Sequence, residues 1–551
     1  MAEVNTQHAA VYTPHNVAAY LAERTLHSIL YPQGRAALTL EDILALRILD
    51  PAVGGGALLR AAAEYLFKAC GCYKLIRKRI VESVLYGIDI RRETIPHAAQ
   101  TLHELAAANC KVNLRCADFL STAGLQFDVV LMNPPYLGEK GNKDLFDALK
   151  STPLGRRFYE GKMDLSYFFV EQALCSLRAG GKLGAITTAY WLTASGARKL
   201  RQAVHAESFI RELLFFEELR LFSKAPGQHN LIFVLEKKGV CSNERCVIGT
   251  ARAPQIQPGQ IVLSRSFELS AQSELFRPDG TIAPHPPHTR TMLERIVSRA
   301  SARLCDLVSI DSGVQSGADR FTARHRLKFP AVDAHIGDGI FVLSSAECAA
   351  LALSKDEQSL LKPFIKNSEI TPYQIDFTPQ RFLLYVTADT RMQHFPKILK
   401  HLSRFRPLLE KRRECREGKI PWYCLHWPRR KEIFEGLKIV SPQRSKGVRF
   451  ALSNTPLYAS VDVYFLTPTQ SEVSLNYILA YLNSSIVQFW LEHCGKRKGS
   501  LLELYAEPLS KIPVIIPGKH DPSLMEGPAL RGRAPACCPT ESGPPESRPK
   551  I

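Results

Sequence analysis

An apolar run at residues 127–132, Phe127-Asp128-Val129-Val130-Leu131-Met132, predicts a buried strand. Asn133-Pro134-Pro135-Tyr136 follows it directly. Consecutive prolines lack N–H donors and fix φ, so a hydrogen-bonded ladder cannot continue through them. The strand must stop there, with an amide, a carbonyl and an aromatic ring at its carboxyl end. Open α/β sheets bind ligands at that end. The Asn133 side-chain oxygen and the Pro134 carbonyl are two acceptors that can hold one planar amino group, and the Tyr136 ring can stack on the heterocycle that carries it. A strand followed by a Pro-rich turn accounts for the tetrapeptide equally well on its own, because short motifs recur by chance. The segments before it decide.

Residues 45–49 predict another strand, ending at Asp50. Pro51-Ala52-Val53 and Gly54-Gly55-Gly56 come next, then an Ala/Leu-rich helical pattern from Ala57 to about residue 69. Strand, Gly-rich turn and helix open a nucleotide-binding βα unit. Glycines there permit positive φ and close approach of a ligand to the backbone. The spacing differs from the dinucleotide fingerprint, and no Lys-Ser/Thr follows as in a P-loop. That favours a smaller adenosine-containing ligand, and Asp50 suits one with a charged amino group. A further strand at residues 84–88 closes on Asp89, where a carboxylate can take ribose hydroxyls. Asp118 beside Phe119 could accept from an adenine amino group while the ring packs on the base. For one Asp alone, a cap or turn is the commoner role. Three acidic strand ends in order, followed by Asn-Pro-Pro-Tyr, are much harder to explain that way.

Beyond residue 240 the pattern loosens. Residues 241–300 read as a connector, with prolines between Arg252 and Gln260 and a turn-rich break at Pro284-His285-Pro286-Pro287-His288. Later, residues 457–465 predict a strand and 476–485 a helix. Residues 410–431 interleave Lys and Arg with Trp422, Tyr423 and Trp427, close to Arg412, Arg413, Arg429 and Arg430. Basic and aromatic residues mixed in this way suit a phosphate-lined groove; a solvated basic helix with a hydrophobic anchor fits the same composition. The stretch from residue 517 is rich in Pro, Gly, Glu and Arg and reads as disordered.

At 551 residues the chain exceeds one ordinary core. The formal net charge of +18 fits a polyanionic partner. No apolar run reaches the ~18 residues of a membrane span, and the amino terminus lacks a signal-peptide layout, so a cytoplasmic protein is expected. The 14 cysteines are scattered without zinc-ligand spacing; reduced thiols and no metal are expected.

In these motifs the chain resembles the N6-adenine DNA methyltransferases of the gamma arrangement, with cofactor motifs first, catalytic motif next and target recognition last. The resemblance implies an α/β fold: a Rossmann-like S-adenosylmethionine-dependent domain at residues 1–240, then the connector, and a mixed α+β target-recognition domain at 301–516. It assigns Tyr12, Thr13 and Pro14 to a motif closing over the cofactor. Asp50, Ala52, Gly54 and Gly56 would form the methionine-side loop, Asp89 would hold the ribose, and Asp118 with Phe119 the adenine. Asn133, Pro134, Pro135 and Tyr136 would be catalytic, with Phe222 a second aromatic. Arg444, Arg449, Lys496, Arg497 and Lys498 join the basic–aromatic residues as DNA-contact candidates. Double-stranded DNA, bound between the two halves, is the expected partner of a monomer. The setting implied is restriction–modification or phage defence, with any endonuclease on a separate chain. Two alternatives remain: an RNA-adenine or protein-glutamine methyltransferase, and a catalytically inactive DNA-binding module.

Overall fold

A computed structural model of the chain describes residues 13–516, apart from 33–35, 72, 123, 217–228, 240–243, 252–260, 262, 278, 377–379 and 470–472. It divides into two compact units, Met1–Arg290 and Thr291–Ile551. Among the described residues no helix is long and apolar enough to cross a membrane.

The first unit is built on a nine-stranded sheet: β1 (Ile48–Asp50), β2 (Leu85–Asp89), β3 (Asn113–Cys116), β4 (Phe127–Met132), β5 (Leu177–Thr188), β6 (Ser208–Phe215), β7 (Asn230–Lys237), β8 (Cys246–Ala251) and β9 (Leu263–Leu269). The strand order is 3-2-1-4-5-7-6-8-9. Strands β3 to β5 run parallel through β2, β1 and β4, whereas β7 is antiparallel to both its neighbours. The chain order reverses at β1, which pairs with β2 on one side and β4 on the other. A crevice at the carboxyl ends of the strands is expected at such a switch point.

Strand periodicity explains the layering. Val129 and Leu131 face one core, shared with the helices His15–Leu30, Ala57–Cys70 and Thr94–Ala106. Val130 and Met132 face the other, shared with the helix Leu165–Ser176. A sheet covered on both faces needs apolar residues at successive positions, which is why β4 reads as a continuous apolar run.

The connector expectation is overturned. β8 pairs in parallel with β6, and β9 pairs antiparallel with β8, so residues 246–269 extend the sheet. Cys246, Ile248 and Ala251 are buried on β8. The stretch from Arg252 to Gln260, whose prolines suggested a linker, lies outside the described residues.

The second unit is a mixed α+β assembly of small sheets. A four-stranded antiparallel sheet has the order Val308–Ser312, Val463–Pro468, Lys438–Pro442, Ala451–Ser453. The single strand expected at residues 457–465 is broken in two. Tyr458–Ala459 pairs with Phe364 and Ile365, and Val463–Pro468 joins the sheet just described. Gly313 enters at the break: its N–H donates to the Val463 carbonyl at 2.9 Å, and the Val314 N–H to the Ala459 carbonyl at 2.8 Å. A Cβ on Gly313 would lie 2.3 Å from the Ser460 carbonyl oxygen.

The helix His15–Leu30 is keyed to the sheet by close packing and by one buried charge. Glu212 on β6 accepts from Tyr20 and from Arg24, each at 2.5 Å. A Cβ on Gly184 of β5 would lie 2.1 Å from Thr25 Oγ1 and 3.0 Å from Leu131 Cδ2, and Thr25 is itself pinned to the Leu21 carbonyl. Gly184→Ala is therefore expected to destabilise the chain by about 1–3 kcal/mol through overpacking. Thermal unfolding measures this; an unchanged midpoint would contradict the packing described.

Candidate functional site

Three strand ends converge at the switch point. Asp50 terminates β1, Asp89 terminates β2, and Asn133 follows β4. The β1–β4 register, with Leu49 opposite Val130, brings Asp50 and Asn133 to the same edge of the sheet.

The loop after β1 is closed by its own backbone. The Val53 N–H donates to the Ile88 carbonyl at 3.0 Å, and the Gly56 N–H to the Val53 carbonyl at 2.7 Å. Gly54 and Gly56 have φ of +49° and +83°, a region costly for residues with a Cβ. Gly56 is also the cap of the helix Ala57–Cys70, so a glycine serves both turn and helix start.

Asp50 is 2% exposed, and among the described residues its carboxyl accepts only from the Ala52 N–H, at 3.1 Å. Burial pushes its pKa from 3.8 up to about 8; the Ala52 bond opposes the shift and Asp89 adds to it. A buried carboxyl without a cationic partner fits a ligand that brings one. Asp89, in contrast, is satisfied within the chain. It accepts from the Gly54 N–H at 2.9 Å and from the Arg91 N–H at 2.9 Å, and it pairs with the Arg91 guanidinium at 3.3 Å. Arg91 was missed by sequence reasoning, although a basic residue two positions past a strand-end acid is a usable signal. Asp118 caps the short helix Phe119–Ser121, accepting from the Leu120 N–H at 3.0 Å and the Ser121 hydroxyl at 2.7 Å. The Phe119 ring does not present a face to the surface: it is 2% exposed and lies 5.8 Å from Phe169. The ring is packed in the apolar core beside the strand end, next to the Asp118 cap.

Asn133 is held from two directions. Its Nδ2 donates to Thr13 Oγ1 at 2.9 Å, and its Oδ1 accepts from the Tyr136 hydroxyl at 2.7 Å. The same hydroxyl lies 2.8 Å from the Ile186 carbonyl oxygen. One phenolic proton serves one acceptor fully, so these two oxygens share it or the Asn133 amide turns over, with Nδ2 then donating to Tyr136. An amide oxygen has two acceptor lone pairs, of which the Tyr136 hydroxyl uses one. Burial, and after it the nearby Asp164, hold the Tyr136 hydroxyl far above the ordinary phenol pKa. Burial also raises Asp164, which caps the helix Leu165–Ser176. The loop after Tyr136 is stitched to this cap: Leu165 N–H donates to the Leu137 carbonyl, and Glu139 N–H to the Met163 carbonyl, both at 2.9 Å. Thr13 and Pro14 lead into the helix His15–Leu30. Tyr12 and Phe222 lie outside the described residues.

In the second unit the basic–aromatic candidates separate into two groups. Arg412 is a structural tie: its guanidinium donates to the carbonyls of Leu409, Ser316 and Trp422 at 3.0, 3.1 and 2.6 Å. Arg444 is committed to Glu503 and to the Tyr505 hydroxyl, and Lys496 to Glu507 at 2.7 Å. Arg413 pairs with Glu414 and Glu417, and Trp422 packs against the core. Arg412 and Arg444 thus each have acceptors in their own chain. Trp427, Arg429, Arg430 and Arg497 are exposed.

Residues 75–222 match the family described as Eco57I restriction-modification methylase, and residues 362–514 match the TaqI-like C-terminal specificity domain. The chain is 21% identical over 414 residues to the type II methyltransferase M.HindII of Haemophilus influenzae, covering 70% of this chain and 74% of that one. It is 23% identical over 509 residues to the type II methyltransferase M.BanIII of Aneurinibacillus aneurinilyticus, covering 84% and 81%. Its fold is similar to that of the type IIL restriction-modification enzyme MmeI, solved in complex with DNA, with a TM-score of 0.58 at 12% identity over 91% of this chain and 67% of MmeI.

The raised Asp50 has a pH signature. The folded chain holds that proton more tightly than the unfolded one, so this group makes stability decline as pH rises from about 4 to about 8. Asp50→Asn carries no ionisation and removes that part of the decline. Denaturant unfolding at pH 5 and pH 8 should show the wild type losing more than ~1 kcal/mol relative to the variant. An equal difference at both pH values would contradict a buried, unpaired carboxyl.

Proposed function

We propose, from the premise that the chain is an Eco57I-type restriction-modification methylase with a TaqI-like specificity domain, that it methylates N6 of adenine at a specific site in duplex DNA. The observation that carries this reading is the pair of acceptors at Asn133 and Pro134, set at the same sheet edge as the unpaired Asp50 carboxyl. S-adenosylmethionine, the proposed cofactor, would supply an electrophilic methyl group on a sulfonium, whose sulfur keeps the S–CH3 bonding pair and leaves as a neutral thioether. Asp50 and the loop through Ala52, Gly54 and Gly56 would receive it, with Asp50 taking the amino group. Asp89 would take ribose hydroxyls once Arg91 yields to them, and Asp118 would bond the cofactor adenine from the loop beside β3.

The target adenine cannot react while stacked in the duplex, and flipping it out costs a few kcal/mol. Stacking on Tyr136, and on Phe222, would offset roughly 1–3 kcal/mol per contact. The N6 lone pair is conjugated with the ring, so the nitrogen is a poor nucleophile until it becomes pyramidal. Asn133 Oδ1 and the Pro134 carbonyl accept its two N–H bonds and aim the lone pair at the methyl group. Thr13 and the Tyr136 hydroxyl fix the amide that does this. The Tyr136 hydroxyl stays protonated at neutral pH and acts as a positioning group. The methylated nitrogen is cationic and acidic, and its proton passes to water without a strong base. Holding the reactants in line accounts for up to ~7–11 kcal/mol of the barrier.

The carboxyl-terminal unit is proposed to select the DNA sequence. The chain would work in the cytoplasm as a monomer within a restriction–modification system.

Transfer of labelled methyl groups to DNA, RNA and protein tests the substrate. Asn133→Ala should abolish transfer to DNA, with cofactor binding by calorimetry retained; near-normal turnover would overturn the mechanism. Tyr136→Phe keeps the ring and removes the hydroxyl bond, so kcat should fall about tenfold. Replacing Arg429 and Arg430 together should flatten the salt dependence of DNA affinity by roughly two units in slope. An unchanged slope would place the phosphate contacts elsewhere.

A further inference from the structure

We propose that Gln315 and Trp427 form a base-reading pair in the carboxyl-terminal unit, in which Gln315 recognises the edge of an adenine and Trp427 packs on the neighbouring base. This rests on the DNA-methyltransferase reading above and names residues that would set its sequence choice.

The pair is built by the backbone. The Gln315 N–H donates to the Trp427 carbonyl at 3.0 Å, and the Trp427 N–H to the Gln315 carbonyl at 2.8 Å. Two residues that exchange both bonds form an antiparallel pair, with their side chains on one face and about 5 Å apart. Gly313 sets the register two residues earlier, since its close approach to Ser460 admits no side chain. Behind the pair, Arg412 ties the Ser316 carbonyl, and the Leu425 N–H bonds the Val386 carbonyl at 2.9 Å. Both members are thus rigid before any ligand arrives, which lowers the ordering cost of binding.

Both side chains are exposed. Trp427 is 50% exposed, and the other three tryptophans are buried or half-buried. Gln315 is exposed, and among the described residues its side-chain amide has no hydrogen-bond partner. An indole normally buries a large apolar area, so presenting one from an isolated β-bridge forfeits stabilisation. Beyond Pro428, Arg429 adopts φ of +63°, an unfavourable conformation for a long side chain. It is held there by the Tyr385 hydroxyl, which donates to its carbonyl at 2.6 Å, and by its own bond to Ser312 Oγ at 2.9 Å. The result places its guanidinium 6.0 Å from the Trp427 ring centre. Arg430 and Lys431, both exposed, continue the positive rim.

A Gln amide matches the N6 and N7 edge of adenine with a donor and an acceptor, and a Glu in its place would instead accept from cytosine N4. Aromatic packing on the adjacent base and basic residues toward the phosphates complete a site that only a nucleic acid satisfies in all its parts.

The test is the methylation pattern of DNA treated with the full chain, read by single-molecule sequencing. Wild type, Gln315→Ala, Gln315→Glu, Trp427→Ala and, as a surface control, Leu327→Ala are compared. Gln315→Ala should lose about 5- to 100-fold discrimination at one A·T position of the recognised sequence. Gln315→Glu should shift that position toward C·G, and Trp427→Ala should raise the KM for DNA about tenfold. Leu327→Ala should match wild type. An unchanged motif in both Gln315 variants would overturn this inference while leaving the proposed function intact. Absence of DNA methylation by the wild-type chain would overturn both.

Discussion

The account depends on where β4 stops. Pro134 and Pro135 cannot extend the ladder, so the strand ends at Met132 and Asn133 clears the sheet at its carboxyl edge. β4 is neighbour to β1 at the point where the strand order turns, so the same edge carries Asp50. Thr13 then reaches Asn133 from a position 120 residues earlier, and Tyr136 from three residues later. A backbone constraint sets the place and two hydrogen bonds set the orientation. The chemistry proposed asks little more of the protein than to keep an amide oxygen and a carbonyl aimed at one amine.

The polar groups at this edge divide by how completely the chain satisfies them. Asp89 and Asp118 are bonded within their own loops. Asp50 is buried and nearly unpaired. Burial of that kind is costly unless a ligand compensates it, so it singles out the position where an incoming positive charge gains most. Among the three strand-end carboxyls, electrostatics therefore ranks Asp50 first for ligand binding, a distinction that spacing along the chain cannot supply.

The strand ends were legible because they depend on local rules. An apolar run closed by two prolines, and a strand closed by Asp before three glycines, announce themselves without tertiary information. What was not legible depends on distant partners. β8 is a strand because β6 offers it an edge, and the prolines near it suggested a linker. The segment 457–465 reads as one strand, but Gly313, far away in sequence, enters and divides it. Composition also cannot tell an arginine facing solvent from one bonded to carbonyls or a carboxylate, as Arg412 and Arg444 are. The burial of Phe119 in the core beside Asp118 is likewise set by distant partners. Gln315 had no sequence signal at all. The role proposed for it comes from its bridge partner Trp427, distant in sequence.

The central claim concerns the atom that receives the methyl group. Duplex DNA treated with the full chain and labelled S-adenosylmethionine can be digested to nucleosides and separated by chromatography with mass detection. The roles proposed for Asn133, Pro134 and Tyr136 predict that the label appears as N6-methyldeoxyadenosine. Label found only in another nucleoside, or none in DNA when the chain binds the cofactor, would contradict it.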